Sequence, residues 1–356
     1  MNILFLKNEL NYTCGVTAHI LNLTNGLGKA GDVNVYIICG GGNGIEKFKE
    51  TDADITVNKA FLHKNRSCIN YTKALFYLVK YVKKNKITII HSHTHYAANL
   101  AYGASKFCNV KTVQTNHGLL ETKGKLPLFR ADKIIAIDEH IRDFIIQEKI
   151  STEQNVQFIR RGIPVPGTPP WKAKIKLKII AATRLVRENG LDVFIKAVSQ
   201  LPEHDRNKAE FLISGEGEHE ENLKKLNKEY GSSIKFLGKV IDMPSLLRDT
   251  HVFVFPSSAA AEGFPAVITE AAAYNNLIIC SDCPGIEKIF ISDIDGLVFK
   301  AGDEYDLMIK IKLAIDSYET FKPMAEHFYN KVKELFDMNT MIQKHMELYG
   351  SCLRNS

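Results

Sequence analysis

The sequence predicts an α/β protein of two successive doubly wound domains, and three observations predict it. Short β-branched runs alternate with amphipathic helical patterns along the chain, the signature of parallel sheets. The alternation comes in two series, and 356 residues give each enough length for its own core. Between the series, "GIPVPGTPPW" packs Pro164, Pro166, Pro169 and Pro170 into seven residues, which neither helix nor sheet interior tolerates.

In the first series "NILFL", "VNVYIIC", "ITIIHSH", "VKTVQTNH" and "KIIAID" read as strands. The helix "GVTAHILNLTNGLGKAG" follows the first of them and stops at Gly31, a helix-ending position. In the second series "LKIIAATR", "AEFLISG", "IKFLG", "HVFVFP" and "LIICSD" play the same part. The expected organisation is a first domain over 1–163, a linker over 164–170 and a second domain over 171–337. A helix over about 338–356 is expected to return to the first domain.

Composition narrows the class. Apolar content of 45% and charged content of 24% match a soluble globular chain and argue against a disordered one. Seven cysteines without a disulfide-framework spacing, and no secretory leader at "MNILFLKNEL", predict a reduced, cytoplasmic setting. The lone C-x-x-C at Cys280 and Cys283 reads as the lining of a buried strand end. No apolar run of about 18 residues is long enough to span a membrane. Charge is uneven: residues 1–165 carry 22 Lys and Arg against 13 Asp and Glu. Much of that excess lies in "KALFYLVKYVKKNK", with Lys73, Lys80, Lys83, Lys84 and Lys86. Such a helix suits an anionic membrane surface, or simply a solvated face. Nucleic acid is not expected, because no recognition motif accompanies the charge.

In open parallel sheets ligands bind beyond the carboxyl ends of the strands. That rule selects the loops 11–15, 40–44, 91–95, 117–118, 183–190, 215–218 and 257–264. If the two sheets face each other, these loops line one cleft. "SSAAAEGFPAVITEAAAYNN" holds Glu262 and Glu270 eight positions apart. Pro265 is suited to a helix start and Gly263 to close backbone approach. A helix beginning there would offer free N–H groups to a phosphate. A long ligand with a diphosphate at the helix start and hydroxyls on either side fits two acids so placed; a nucleotide-sugar is one. Structural glutamates are the plainer reading of the spacing alone.

Arg184 follows a strand directly, where a guanidinium can grip diphosphate oxygens with two parallel hydrogen bonds; a surface salt bridge is its plainer reading. Gly215 and Gly217 end the next strand and leave room for a nucleobase or ribose, or merely make a turn. His117 ends a strand in the first series. "HSHTH" at 91–95 invites a metal reading, but three imidazoles along one strand are too nearly collinear to wrap an ion, so sheet-end packing is expected. The D-x-D pairs Asp52, Asp54 and Asp293, Asp295 end no convincing strand, and no carboxylate-bound ion is expected.

Together these residues resemble family 4 of the glycosyltransferases (the glycosyl transferases group 1), retaining enzymes of the GT-B fold with two Rossmann-like domains. "TRLVRENGLDVFIKA" is similar to that family's Gly-Arg-Leu…Lys-Gly stretch, "LISGEGEHEENLKKL" to its Gly-x-Gly turn and "KFLGKV" to its base-side loop. "VFPSSAAAEGFPAVITEAAA" is similar to its E-x₇-E signature, and "VQTNHG" to its acceptor-domain histidine. The resemblance implies that Glu262 with the backbone of Gly263, Phe264 and Pro265 holds the transferred sugar. It implies that Glu270 binds the ribose and that Arg184 binds the diphosphate. Lys239 and Val240 would meet the base, and Gly215 and Gly217 would flank the nucleotide. His117 would contact the donor sugar, and Gly15 would leave space beside the phosphates.

The resemblance further implies no metal and no bound cofactor, the nucleotide-sugar being a substrate, with a UDP-sugar favoured over a GDP-sugar. The acceptor would be an envelope glycan or glycolipid, reached at the inner face of the cytoplasmic membrane. Front-face substitution is expected, the departing phosphate helping to deprotonate the acceptor. Three departures stand out. Asn189 replaces the family's lysine before Gly190, leaving Arg187 as a substitute cation. Cys14-Gly15 replaces a glycine pair, and Arg161-Gly162 replaces Asn-Gly. They raise the alternative of a catalytically weak or inactive nucleotide-sugar-binding member.

Overall fold

The structure is a computed structural model that describes residues 1–12, 14–65, 67–118, 131–167, 169–173, 176–258 and 264–354. The chain divides into two compact units, Met1–Ile163 with Phe336–Ser356, and Pro164–Leu335.

The first unit holds strands β1 (Asn2–Leu6), β2 (Asn34–Cys39), β3 (Asp54–Val57), β4 (Ile89–Ser92), β5 (Lys111–Asn116), β6 (Lys133–Ala136) and β7 (Val156–Phe158). All neighbours pair in parallel, in the order β3-β2-β1-β4-β5-β6-β7. Its helices are α1 (Gly15–Gly28), α2 (Cys68–Lys84), α3 (His95–Ser105) and α4 (Glu139–Gln147), together with a C-terminal helix over Met338–Arg354. Successive strand residues point to opposite faces. Ile3, Phe5, Ile37, Ile89 and Val113 therefore meet α1 and the C-terminal helix, through Ile20, Leu23, Met341 and Tyr349. Leu4, Leu6, Ile38 and Ile90 meet Ala74, Leu78 and Val82 of α2 and Leu100 of α3. Both faces are covered, which is why these strands read as continuous apolar runs.

The basic segment forms most of α2, capped by Ser67 on the Asn70 N–H at 3.1 Å. Ala74, Leu78 and Val82 are buried, while Lys73, Lys80, Lys83 and Lys84 are exposed along with Ile69 and Phe76. Among the described residues no helix is long and apolar enough to cross a membrane.

The second unit holds β8 (Leu177–Ala182), β9 (Ala209–Ser214), β10 (Lys235–Phe236), β11 (Val252–Phe255), β12 (Leu277–Ser281) and β13 (Leu297–Phe299), in the order β10-β9-β8-β11-β12-β13. Its helices are α5 (Leu191–Gln200), α6 (Glu203–Arg206), α7 (Glu220–Tyr230), α8 (Met243–Asp249), α9 (Ala266–Ala272), α10 (Glu304–Ser317) and α11 (Lys322–Leu335); the C-terminal helix is α12. Ile179, Phe211, Val254 and Ile279 form one core with Phe194 and Val198 of α5 and Ile311 of α10. Phe328 of α11 packs edge-on to Phe290 at 4.9 Å and Phe264 at 6.3 Å.

Strands β3, β7 and β13 were not expected from the sequence. All three are short and lie at sheet edges, where pattern and burial are weakest. Asp54 opens β3 and ends no strand. Helix α1 ends at Gly28; Gly31, at φ +82°, turns the chain beyond it. Cys280 and Cys283 are buried and free, as a strand-end lining. Buried Asp295 accepts from Lys331 at 2.7 Å and pairs with His327 at 2.8 Å, so its D-x-D is a structural anchor.

Candidate functional site

Each sheet reverses its strand order once, between β1 and β4 in the first unit and between β8 and β11 in the second. The crevice beyond the carboxyl ends at such a reversal is where open α/β sheets take ligands.

In the second unit the crevice is built by backbone. The chain leaving β8 runs through Thr183, Arg184 and Leu185 against the loop after β9. The Thr183 N–H donates to Ser214 O at 3.1 Å, Leu185 N–H to Glu216 O at 3.0 Å and His219 N–H to Leu185 O at 2.9 Å. Gly215 and Gly217 make that contact feasible. A Cβ on Gly215, whose φ is +141°, would lie 1.9 Å from Thr183 O, and one on Gly217 would lie 2.3 Å from Leu185 O. The side on which each glycine would carry a Cβ is thus occupied by the chain's own backbone, and the glycines position Arg184. The Gly238 carbonyl accepts from Gly215 N–H at 2.9 Å, which brings half-buried Lys239 and Val240 beside this turn.

Asn189 locks the segment from the other side. Its side-chain nitrogen donates to Thr183 Oγ1 at 2.9 Å and to Arg184 O at 2.8 Å. Both amide protons are spent on the chain, so Asn189 sets the backbone of Arg184 and does not replace the missing cation at a diphosphate. Arg184 and Arg187 are exposed and form no ion pair with a described residue. Gly190, at φ +65°, then lets the turn touch the end of β11, where Ser257 and Ser258 bind Glu188 O.

Glu262 and Gly263 lie outside the described residues. Phe264 is buried, and Pro265 occupies the capping position of α9 with ψ 127°, one residue before the helix proper. Glu270 sits half-buried on α9, close enough to Tyr274 to help raise its phenol, after burial as the main cause.

In the first unit Gly15 opens α1 with nothing within 4 Å of where a Cβ would stand. Beside it lies a residue not singled out from the sequence. Lys7, directly after β1, is 6% exposed and donates to Glu9 O, to Thr17 Oγ1 at 3.2 Å and to Cys14 Sγ at 3.6 Å. Burial works to raise the Cys14 thiol, but Lys7 and the N–H groups of Thr17 and Val16 outweigh it, and the thiol lies below its ordinary value. Asn8 and Thr94 pair across the reversal between β1 and β4. The position of Lys7 at a reversal-point strand end was the available signal.

The "HSHTH" run does not stay on one strand. His91 and His93 stack at 4.3 Å between ring centroids, while His95 opens α3. His117 places Nε2 3.2 Å from His93 Nδ1, and its ring lies 5.0 Å from that of His19. His345 of α12 approaches His19 at 6.0 Å. Ring nitrogens from His19, His93 and His117 lie within 4.8 Å of one another. The collinearity expected of 91–95 fails because helix α1 and the end of β5 supply the other rings. Burial first, then Arg161 and Lys7, push His117 down to about 3, so its imidazole is neutral at pH 7.

The sequence matches the family described as Glycosyltransferase Family 4 over residues 13–166 and the one described as Glycosyl transferases group 1 over 170–334. It is 22% identical to an uncharacterised glycosyltransferase of Methanocaldococcus jannaschii, over 98% of this chain and 97% of that protein. It is 26% identical to the UDP-Gal:α-D-GlcNAc-diphosphoundecaprenol α-1,3-galactosyltransferase of Escherichia coli, over 81% of each. Among solved structures, Anabaena HepE in complex with UDP-glucose superimposes with a TM-score of 0.82 at 17% identity, covering 99% of this chain and 100% of that one.

Proposed function

This chain belongs to the family 4 (group 1) glycosyltransferases of the GT-B fold, and on that premise we propose that it moves a hexose-type sugar from a UDP-sugar to a lipid-linked or glycan acceptor of the cell envelope, with retention at the anomeric carbon. One observation carries the reading. Arg184 and Arg187 are exposed cations at the strand reversal of the second unit, on backbone held by Asn189, Gly215 and Gly217. A cation fixed by backbone suits a leaving group whose negative charge grows as the anomeric bond breaks. The donor and acceptor classes draw support from the Escherichia coli relative, whose name specifies UDP-Gal and a diphosphoundecaprenol-linked sugar.

On this reading Arg184 offsets diphosphate charge, Glu270 holds ribose hydroxyls, and Lys239 and Val240 meet the base. Phe264 and Pro265 flank the sugar together with Glu262 and Gly263. Neutral His117 offers the donor sugar a hydrogen bond rather than a charge, and turnover uses no metal ion. The exposed lysines of α2 hold the enzyme near anionic lipid.

The test is nucleotide release from a panel of nucleotide-sugars, with and without lipid-diphosphate sugars as acceptors. Arg184→Ala should lower kcat/KM by about 10²–10³. Its melting temperature should stay put, because the side chain is exposed and forms no ion pair among the described residues. Asn189→Ala should cost roughly tenfold at unchanged donor specificity, since it loosens Arg184 without removing it. Donor binding without release, acceptor supplied, would instead support a nucleotide-sugar-binding protein that has lost turnover.

A further inference from the structure

We propose that His19, His93 and His117 form a zinc-class metal site in the first unit, with a fourth coordination position open to water or an anion. Several side chains there lack partners that buried polar groups almost always have. His19 is 3% exposed, and among the described residues neither of its ring nitrogens has a hydrogen-bond partner. His93 Nε2 and His345 Nε2 are likewise buried and unpartnered. A buried nitrogen left without a partner is destabilising unless something fills the place. Their neighbour His91 shows the contrast, with Nδ1 on the Tyr349 hydroxyl at 2.6 Å and Nε2 on Thr115 Oγ1 at 2.7 Å. His91 is satisfied at both nitrogens, His93 at one and His19 at neither.

The donors fit the ion. One nitrogen from each of His19, His93 and His117 lies within 4.8 Å of the others, and His93 and His117 already approach to 3.2 Å. Tetrahedral bonds of about 2.0–2.1 Å put ligand nitrogens roughly 3.4 Å apart, so closure needs about 1 Å of side-chain rotation. Three imidazoles without a carboxylate suit zinc or cobalt rather than magnesium or calcium. Lys7 and Arg161 lie close enough to act on His117, and their charge favours an anionic fourth ligand such as hydroxide or phosphate. His345 donates Nδ1–H to Met341 O at 2.8 Å, which turns its Nε2 lone pair free for that ligand's proton.

The ion would not serve turnover. It would take His117 away from the donor sugar, so zinc should inhibit; that consequence rests on the function proposed above, whereas the site itself does not. Binding is therefore measured without activity. Metal-free protein titrated with Co²⁺ should bind one equivalent and develop intense visible absorption of tetrahedral cobalt, which one equivalent of Zn²⁺ abolishes. His19→Gln should weaken binding roughly tenfold or more, while exposed His63→Gln should leave it unchanged. If His19→Gln does not fold, the Co²⁺-loaded wild type decides by proton NMR: three histidine ring resonances should carry large paramagnetic shifts. No stoichiometric binding, a weak octahedral spectrum, or affinity indifferent to His19→Gln would overturn the site. Stoichiometric binding without inhibition would keep the site and count against the role given to His117.

Discussion

On acidification the first unit should unfold between pH 6.5 and about 5 while the second stays folded. His19, His91, His93, His117 and His345 are all held below their ordinary value of 6.5, with burial the largest cause in each case. His117 is pushed to about 3 and His345 to about 4. Above pH 6.5 these rings are neutral in both the folded and the unfolded chain, and they bias neither. Below it the unfolded chain takes up five protons that the folded unit refuses. Each refusal costs about 1.4 kcal/mol per pH unit, so together they remove about 7 kcal/mol per unit. Against a domain stability of about 5–15 kcal/mol, one to two pH units suffice. The penalty from His117 would stop growing only near 3 and that from His345 near 4.

The second unit has no such cluster among its described residues. Asp205 is held below its ordinary 3.8, chiefly by Lys208 and against burial, so the stability it contributes is lost only as pH falls below 3.8. Trp171, the one tryptophan, stacks on Tyr318 at 4.4 Å and reports the second unit alone. Far-UV circular dichroism should therefore fall by about half near pH 5 with Trp171 emission unchanged, and His345→Gln should flatten the pH slope by about a fifth. A pH-independent ellipticity down to pH 4 would show that the cluster is solvated or compensated.

Much of the fold was legible because parallel strands buried on both faces leave continuous apolar runs. Ile3, Phe5, Leu4 and Leu6 serve two different cores within five residues. The edge strands β3, β7 and β13 were not, since an edge buries little and needs no such run. Of the candidate site, the loops were legible from the strand-end rule, and Arg184 and Asn189 with them. What Asn189 does was not, because a side chain that bonds Thr183 and Arg184 O looks in sequence like a lost charge. Nor was the histidine cluster: His19 and His345 are far apart in the chain, and only the packing of α12 on the first sheet brings them together.

Gly190→Ala should abolish most activity, and Gly231→Ala should tell why. Both glycines occupy the left-handed region, at φ +65° and +60°, where an alanine costs about 1–2 kcal/mol. They differ in what surrounds them. A Cβ on Gly231 meets nothing within 4 Å, whereas one on Gly190 would lie 2.0 Å from Pro256 O and 2.9 Å from its carbon. Those atoms are backbone at the end of β11, so the clash cannot be relieved by rotating a side chain. The turn over Arg187–Asn189 and the loop at Ser257 must part, breaking the Ser258 N–H bond to Glu188 O and dragging Asn189 from Thr183. Arg184 then loses the anchor that fixes its carbonyl. A displacement of about 1 Å in a charge-stabilising group is worth roughly 10² in rate. Nucleotide release by Gly190→Ala should fall by about that factor or more, while Gly231→Ala loses only a few degrees of melting temperature and keeps its rate. The pair separates strain, which both share, from the backbone collision that Gly190 alone would suffer. Equal rates in the two variants would mean that the β8 and β11 ends need not touch for the sugar to be transferred.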